Sequence, residues 1–117
     1  MKDFINYNQQ LALRELGFNE PCFGIYNINM DILPIIDEPY VTTSKYGAIL
    51  LSQAFRFFRE KYDFYVIIHS SLNHDFFPVI RASKAQYHIG NFNSYEEAES
   101  ACLDKLIELA KMLNLND

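Results

Sequence analysis

The chain contains no tryptophan, only two cysteines, and four each of glycine and proline in 117 residues. Each shortage excludes something. The four glycines do not cluster, so there is no Gly-rich loop of the kind that cradles phosphate. Cys22 and Cys102 lie far apart, and neither has a cysteine or histidine at ligand spacing, which excludes the common zinc patterns. A small secreted fold held by disulfides would carry more cysteine, so both are expected to be buried free thiols. No apolar run reaches transmembrane length, and Met1-Lys2-Asp3-Phe4 leads into polar residues instead of the apolar stretch of a signal peptide. These absences point to a cytoplasmic protein of its host cell, with no membrane association.

Aromatic residues are abundant instead. Half the chain is hydrophobic and 15% is aromatic, with ten Phe and eight Tyr, while 21% is charged. That balance excludes intrinsic disorder. The length suits one domain, residues 1–117, able to bury roughly two-thirds of the surface its unfolded form exposes. The aromatic surplus suggests that some rings line an exposed patch or pocket. The net charge of −5 is unevenly spread. Residues 1–44 and residues 91–117 each carry two basic and six acidic side chains. Residues 45–90 carry six basic against three acidic, and all three histidines. Such asymmetry bears on electrostatic partners and not on fold.

Periodicity and punctuation give the elements. A short helix is expected over Asn8 to Leu16, with Leu11, Leu13 and Leu16 apolar and Gly17 at the left-handed cap position. Pro21 makes 18–21 a turn, and Cys22 to Ile28 reads as a strand. Pro34 and Pro39 break any pattern over 29–44, which reads as a loop packed on the core; a docking segment is the alternative. A second helix is expected over Lys45 to Tyr62, with Leu51, Ala54, Phe55, Phe58 and Tyr62 on its core face and Phe57 and Leu50 on a partly buried flank.

A strand over Phe64 to Ser70 is apolar on both faces, which suits a central strand or an interface. Phe76 to Ala82 is its hairpin partner, and Pro78 there favours an edge position or a bulge. Gln86 to Phe92 makes a third strand. Ser94 and Glu97 form a capping box before the final helix, where Ala98, Cys102, Leu106, Leu109 and Leu113 form an apolar stripe. The fold class is α+β. An antiparallel three-strand meander, with a further N-terminal strand available, packs with two long helices and a short N-terminal helix.

Catalytic templates fit poorly. His69, His74, Asp75 and His88 could gather at one end of the hairpin, but hairpin histidines bonded to water or backbone are the simpler reading. Ser70, Ser71, His69 and Asp75 supply the residue types of a nucleophile triad without a strained nucleophile turn. Glu96, Glu97 and Glu99 are accounted for by capping and the helix dipole. No enzyme activity and no cofactor or metal is expected.

The stretch QYHIGNFNSYEEAESACLDKLIEL (86–109) is similar to the final strand and helix of AP2-type and integrase arm-type DNA-binding domains. Taken back to Ala54, the helix–strand–strand–strand–helix order also resembles a double-stranded-RNA-binding domain. Those families imply several basic residues facing nucleic acid. Here only Arg81, Lys84 and His88 are available, and Glu96 and Glu97 would repel phosphate, so nucleic-acid binding is disfavoured. Three further stretches, QLALRELGFNEPCFGIY (10–26), QAFRFFREKYDF (53–64) and SYEEAESACLDKLIEL (94–109), together resemble small phage- and prophage-encoded proteins of Bacteroidetes bacteria. That resemblance implies an origin and carries no activity or catalytic residue.

The expectation is a non-enzymatic accessory protein that binds a host or phage protein, with Arg56, Phe57, Arg59, Tyr65, Arg81 and Lys84 as contacts. One alternative is sequestration of a small anionic ligand of nucleotide type by the arginines and adjacent rings. Another is nucleic-acid binding through the sheet. A homodimer is compatible with all three.

Overall fold

The computed structural model describes residues 4–20, 24–26, 32–34 and 47–115. The chain forms two compact units, Met1–Ala54 and Phe55–Asp117, divided within one helix.

In the first unit, α1 (Tyr7–Glu15) is closed at both ends by its own sequence. The Asn6 side chain accepts from the Gln9 N–H at 2.8 Å, and Gln9 Oε1 accepts from the Asn6 N–H at 3.0 Å. This reciprocal box satisfies donors that a helix start leaves open. At the other end Gly17 adopts φ 108°, as its position required. Its N–H donates to the Arg14 carbonyl, and the Phe18 N–H donates to that of Leu13. Phe18 and Leu13 are both buried, which completes a Schellman cap.

Three short strands, β1 (Gly24–Tyr26), β2 (Ile32–Pro34) and β3 (Gly47–Ala48), form an antiparallel sheet in the order β2-β1-β3. The strand expected over 22–28 is thus present at its centre, but it belongs to this separate sheet and not to the meander. Part of the proline-interrupted segment is also strand. The remainder of 29–44, together with Cys22 and Phe23, lies outside the described residues.

The second helix, α2, spans Leu51–Tyr62, so its expected start at Lys45 is corrected. Gly47 and Ala48 are instead paired with Ile25 and Gly24. Leu50 has no capping oxygen; Gln53 Oε1 accepts its N–H at 3.0 Å, the Gln half of a capping box. Asp63 then turns the chain with φ 61°, a conformation Asp tolerates. Phe57, Phe58, Tyr62 and Phe64 form a ring cluster with centroids 5.3–6.2 Å apart. Much of the aromatic surplus is spent here: Phe57, Phe58 and Phe64 are buried.

The second unit is built on β4 (Tyr65–Ser70), β5 (Phe76–Ala82) and β6 (Ala85–His88), an antiparallel meander in the order β4-β5-β6. Among the described residues β4 is therefore an edge strand, which corrects the central position its two apolar faces suggested. The turn into β5 is set by its backbone: the Ser71 carbonyl accepts from His74 N–H, and the Ser71 N–H donates to Asp75. His74 sits at φ 64°, where such a three-residue loop favours glycine. Pro78 occupies the central strand because β6 is interrupted beside it. Two residues separate Phe76 from Val79, while three separate their partners Phe92 and His88, so one extra residue bulges out. Gly90, at φ 133°, lies in this bulge.

The last helix, α3 (Tyr95–Leu115), starts where Ser94 Oγ accepts the Glu97 N–H at 3.1 Å. It packs on β5 and β4. Ala98, Cys102, Leu106 and Leu109 are buried as the stripe required, and Leu103, Ile107 and Ala110 widen it. Leu113 is exposed, a correction to the expected stripe.

Two glycine-related positions should respond in opposite directions in urea unfolding. Gly90→Ala forces a side chain into a strained φ and should cost more than about 1 kcal/mol. His74→Gly relieves a left-handed non-glycine residue and should raise stability by up to about 1 kcal/mol.

Candidate functional site

Cross-strand pairing divides the meander into two faces. Val66, Ile68, Ile80 and Tyr87 share the face that carries α3, where Phe76 meets Tyr95 edge-on at 5.7 Å. Tyr65 with Arg81, Ile67 with Val79, and His69 with Phe77 share the other, continued on β6 by Gln86 and His88. On this second face Tyr65 is 46% exposed and Ile67 is 41% exposed. Val79, between Ile67 and His88, is buried, and His69 stacks on Phe77 at 5.1 Å.

Two concavities meet at the start of β4. One, of about 480 Å³, is lined by Asp63, Tyr65, Ile67, Arg81 and Ser83 among others. The other, of about 210 Å³, is lined by Arg59, Phe55, Phe64, Tyr65, Val66 and Ile68 with Tyr95 and Glu99 of α3. Tyr65 belongs to both. Its hydroxyl donates to the Asp63 carboxylate; that bond, and then the carboxylate's charge, hold the phenol above its ordinary range. The Arg59 charge acts weakly in the opposite direction.

Of the six expected contacts, Arg59 and Arg81 each line a concavity that Tyr65 shares, Arg59 the smaller and Arg81 the larger. Arg56 is exposed on α2 and lines neither concavity. Lys84 is exposed in the β5–β6 turn and lines neither. Phe57 is corrected from a surface contact to a buried ring, with Lys61 Nζ 5.5 Å from its centroid. Sequence reasoning missed Asp63, Ile67 and Phe77. The alternation Tyr65, Ile67, His69 was the available signal for the exposed face.

The reactive residue types do not assemble. Among the described residues, no group of three or more His, Cys, Asp or Glu side chains could hold a metal ion. Ser71 Oγ accepts the N–H groups of Asn73 and Asp75, so the hydroxyl organises the hairpin turn. Cys102 is a buried free thiol, and burial first, then the Glu99 charge, push it up to about 12. Among the described residues no helix is long and apolar enough to cross a membrane.

Comparisons with protein-family models, curated proteins and solved structures return no match. The functional reading therefore rests on the site.

Two titrations follow. Asp63→Asn should bring the Tyr65 phenol down toward its ordinary value, seen by NMR of its ring carbon; no movement would disprove the hydrogen bond. For Cys102 the folded pKa lies above the unfolded one, so its contribution to stability is intact below about pH 9 and declines as pH rises toward 12. In unfolding measurements across that window, Cys102→Ala should fall less than wild type.

Proposed function

We propose that this chain is a non-catalytic binding module that engages a protein partner through the open face of the β4–β5–β6 meander. The observation that carries the reading is Tyr65 and Ile67, each close to half exposed, standing beside Arg81 on one side of a folded sheet. Tyrosine and arginine are the residue types that most often anchor interfaces, because each combines apolar area with directed polar groups. The buried Val79 gives the patch an apolar floor, and Arg81, Gln86 and His88 give it a polar margin. Such a surface suits a partner with an apolar side chain for the floor and a carboxylate for Arg81. The resemblance to phage-encoded proteins supports an accessory role toward a host or phage protein.

A small anionic ligand is the second reading, favoured by the 480 Å³ concavity with Arg81 and Tyr65 on its wall. That volume is within the usual range for ligand sites. Asp63 on the same wall opposes it, as Glu99 does beside Arg59, because each carboxylate offsets the positive field an anion needs. Nucleic acid is opposed by the exposed Glu96 and Glu97 at the start of α3.

The test is a photo-crosslinker placed at Ile67, with Lys111, exposed near the end of α3, as control, in lysate of the cognate host. A partner captured from Ile67 alone should lose affinity by about tenfold or more with Tyr65→Ala or Arg81→Glu, as anchor residues do. Equal capture from both positions, or no response to either substitution, would refute the face. A thermal shift with nucleotides would move the assignment to the small-ligand reading.

A further inference from the structure

The outer edge of β4 raises a question separate from the open face. Backbone groups of an antiparallel strand alternate in direction from one residue to the next. Phe76 exchanges both of its bonds with Phe92, at 2.8 Å each, so the even-numbered residues of β5 address β6. Its odd-numbered residues, Phe77, Val79 and Arg81, consequently address His69, Ile67 and Tyr65 of β4. The N–H and C=O groups of Val66, Ile68 and Ser70 are left pointing away from the sheet. Among the described residues no backbone group bonds to them. Edge strands are commonly protected by charge, proline or a bulge. Tyr65–Ser70, YVIIHS, has no Lys, Glu, Asp, Arg or Pro and no bulge in its pairing with β5.

We infer that this edge takes a second copy of the same strand, joining two meanders into one continuous antiparallel sheet. The three outward residues are spaced symmetrically about Ile68. A copy rotated about a two-fold axis at Ile68 pairs Val66 with Ser70 of its partner and Ile68 with its own equivalent. Each of these pairs exchanges both backbone bonds, so the edge is complementary to itself. No charged residue lies along the seam, so like charges do not meet there. The same register brings Leu72, 101% exposed at the hairpin tip, to the level of Phe64 in the other copy. There Phe55, Phe64, Val66 and Ile68 form the apolar wall of the smaller concavity, of about 210 Å³, which Arg59 and Glu99 also line. An exposed apolar side chain and a cleft with an apolar wall, at opposite ends of one strand, are related by the operator that matches the hydrogen bonds. A bound foreign strand would use the same backbone groups, but only a copy brings Leu72. The inference rests on the backbone edge and is independent of the partner proposed for the open face.

Sedimentation over a broad concentration range, combined with hydrogen exchange, tests it. The mass should rise from 13.7 kDa toward twice that value. In step with it, the amides of Val66, Ile68 and Ser70 should become protected, while those of Tyr65, Ile67 and His69 are protected already. Leu72→Glu, at a fully exposed position where folding is not at stake, should weaken association at least tenfold. Ile68→Pro, which removes an outward donor and spares the ladder bonds to β5, should do so more strongly, provided that the monomer's melting temperature shows it folded. A chain that stays monomeric overturns the inference, as does a dimer whose three outward amides exchange freely or which ignores Leu72→Glu. Protection of those amides only on adding a foreign strand peptide would give the edge to another occupant and equally reject the second copy.

Discussion

β5 is the constraint on which the second unit depends. Among the described residues it is the one strand of its meander bonded along both sides, and α3 packs against it. Its inward residues Pro78 and Ile80 are buried, so a shift of one residue in register would turn them to the open face and put Arg81 beneath the helix. Pro78 sharpens the constraint. A proline in a central strand forfeits a ladder bond, and the chain meets this by bulging the neighbouring strand at the same level. The left-handed Gly90 and the re-pairing of Phe92 with Phe76 follow from it.

Local punctuation was legible in the sequence where it acts locally. Ser94, Gly17 and the 76–82 strand are where the residues placed them, because caps, left-handed glycines and hairpins involve near neighbours. The bulge alternative for Pro78 was also readable, since the missing donor must be accommodated somewhere. The start of α2 was not. Helical periodicity runs back through Ala48, but pairing of Gly47–Ala48 with a strand more than twenty residues earlier takes precedence, and no local pattern announces it. The edge position of β4 was hidden for a related reason. Apolar residues on both faces suit a buried strand, and the chain order of a meander does not state which strand lies in the middle.

The candidate site was half legible. Arg59 and Arg81 each share a concavity with Tyr65, because Tyr65 and Arg81 are cross-strand neighbours and Arg59 lies one helical turn before the end of α2. Charge counting grouped Arg56 and Lys84 with them, but a segment's net charge does not say which side of a helix or turn its cations occupy. Phe57 shows the same limit for aromatics: its ring joins the Phe58–Tyr62–Phe64 cluster, where an edge-to-face contact adds to burial. Asp63 was passed over because it looks like an ordinary turn residue. Its left-handed backbone sets the carboxylate against the Tyr65 hydroxyl, so it shapes the turn and the electrostatics together.

That carboxylate also decides between the two kinds of ligand. A free anion must displace water from Arg81 while remaining near Asp63, and in a half-open concavity the two charges largely cancel at ligand distance. A protein surface faces no such conflict. It can oppose Arg81 with one acceptor, meet Asp63 and Tyr65 with a donor, and lay an apolar side chain over Ile67 and Val79. Excluding water from the arginine then strengthens the paired contacts around it, and the rim limits access of solvent to them. The mixed charge that weakens an anion site therefore favours a partner able to present both signs at fixed spacing, which a folded surface does and a small phosphate ligand does not.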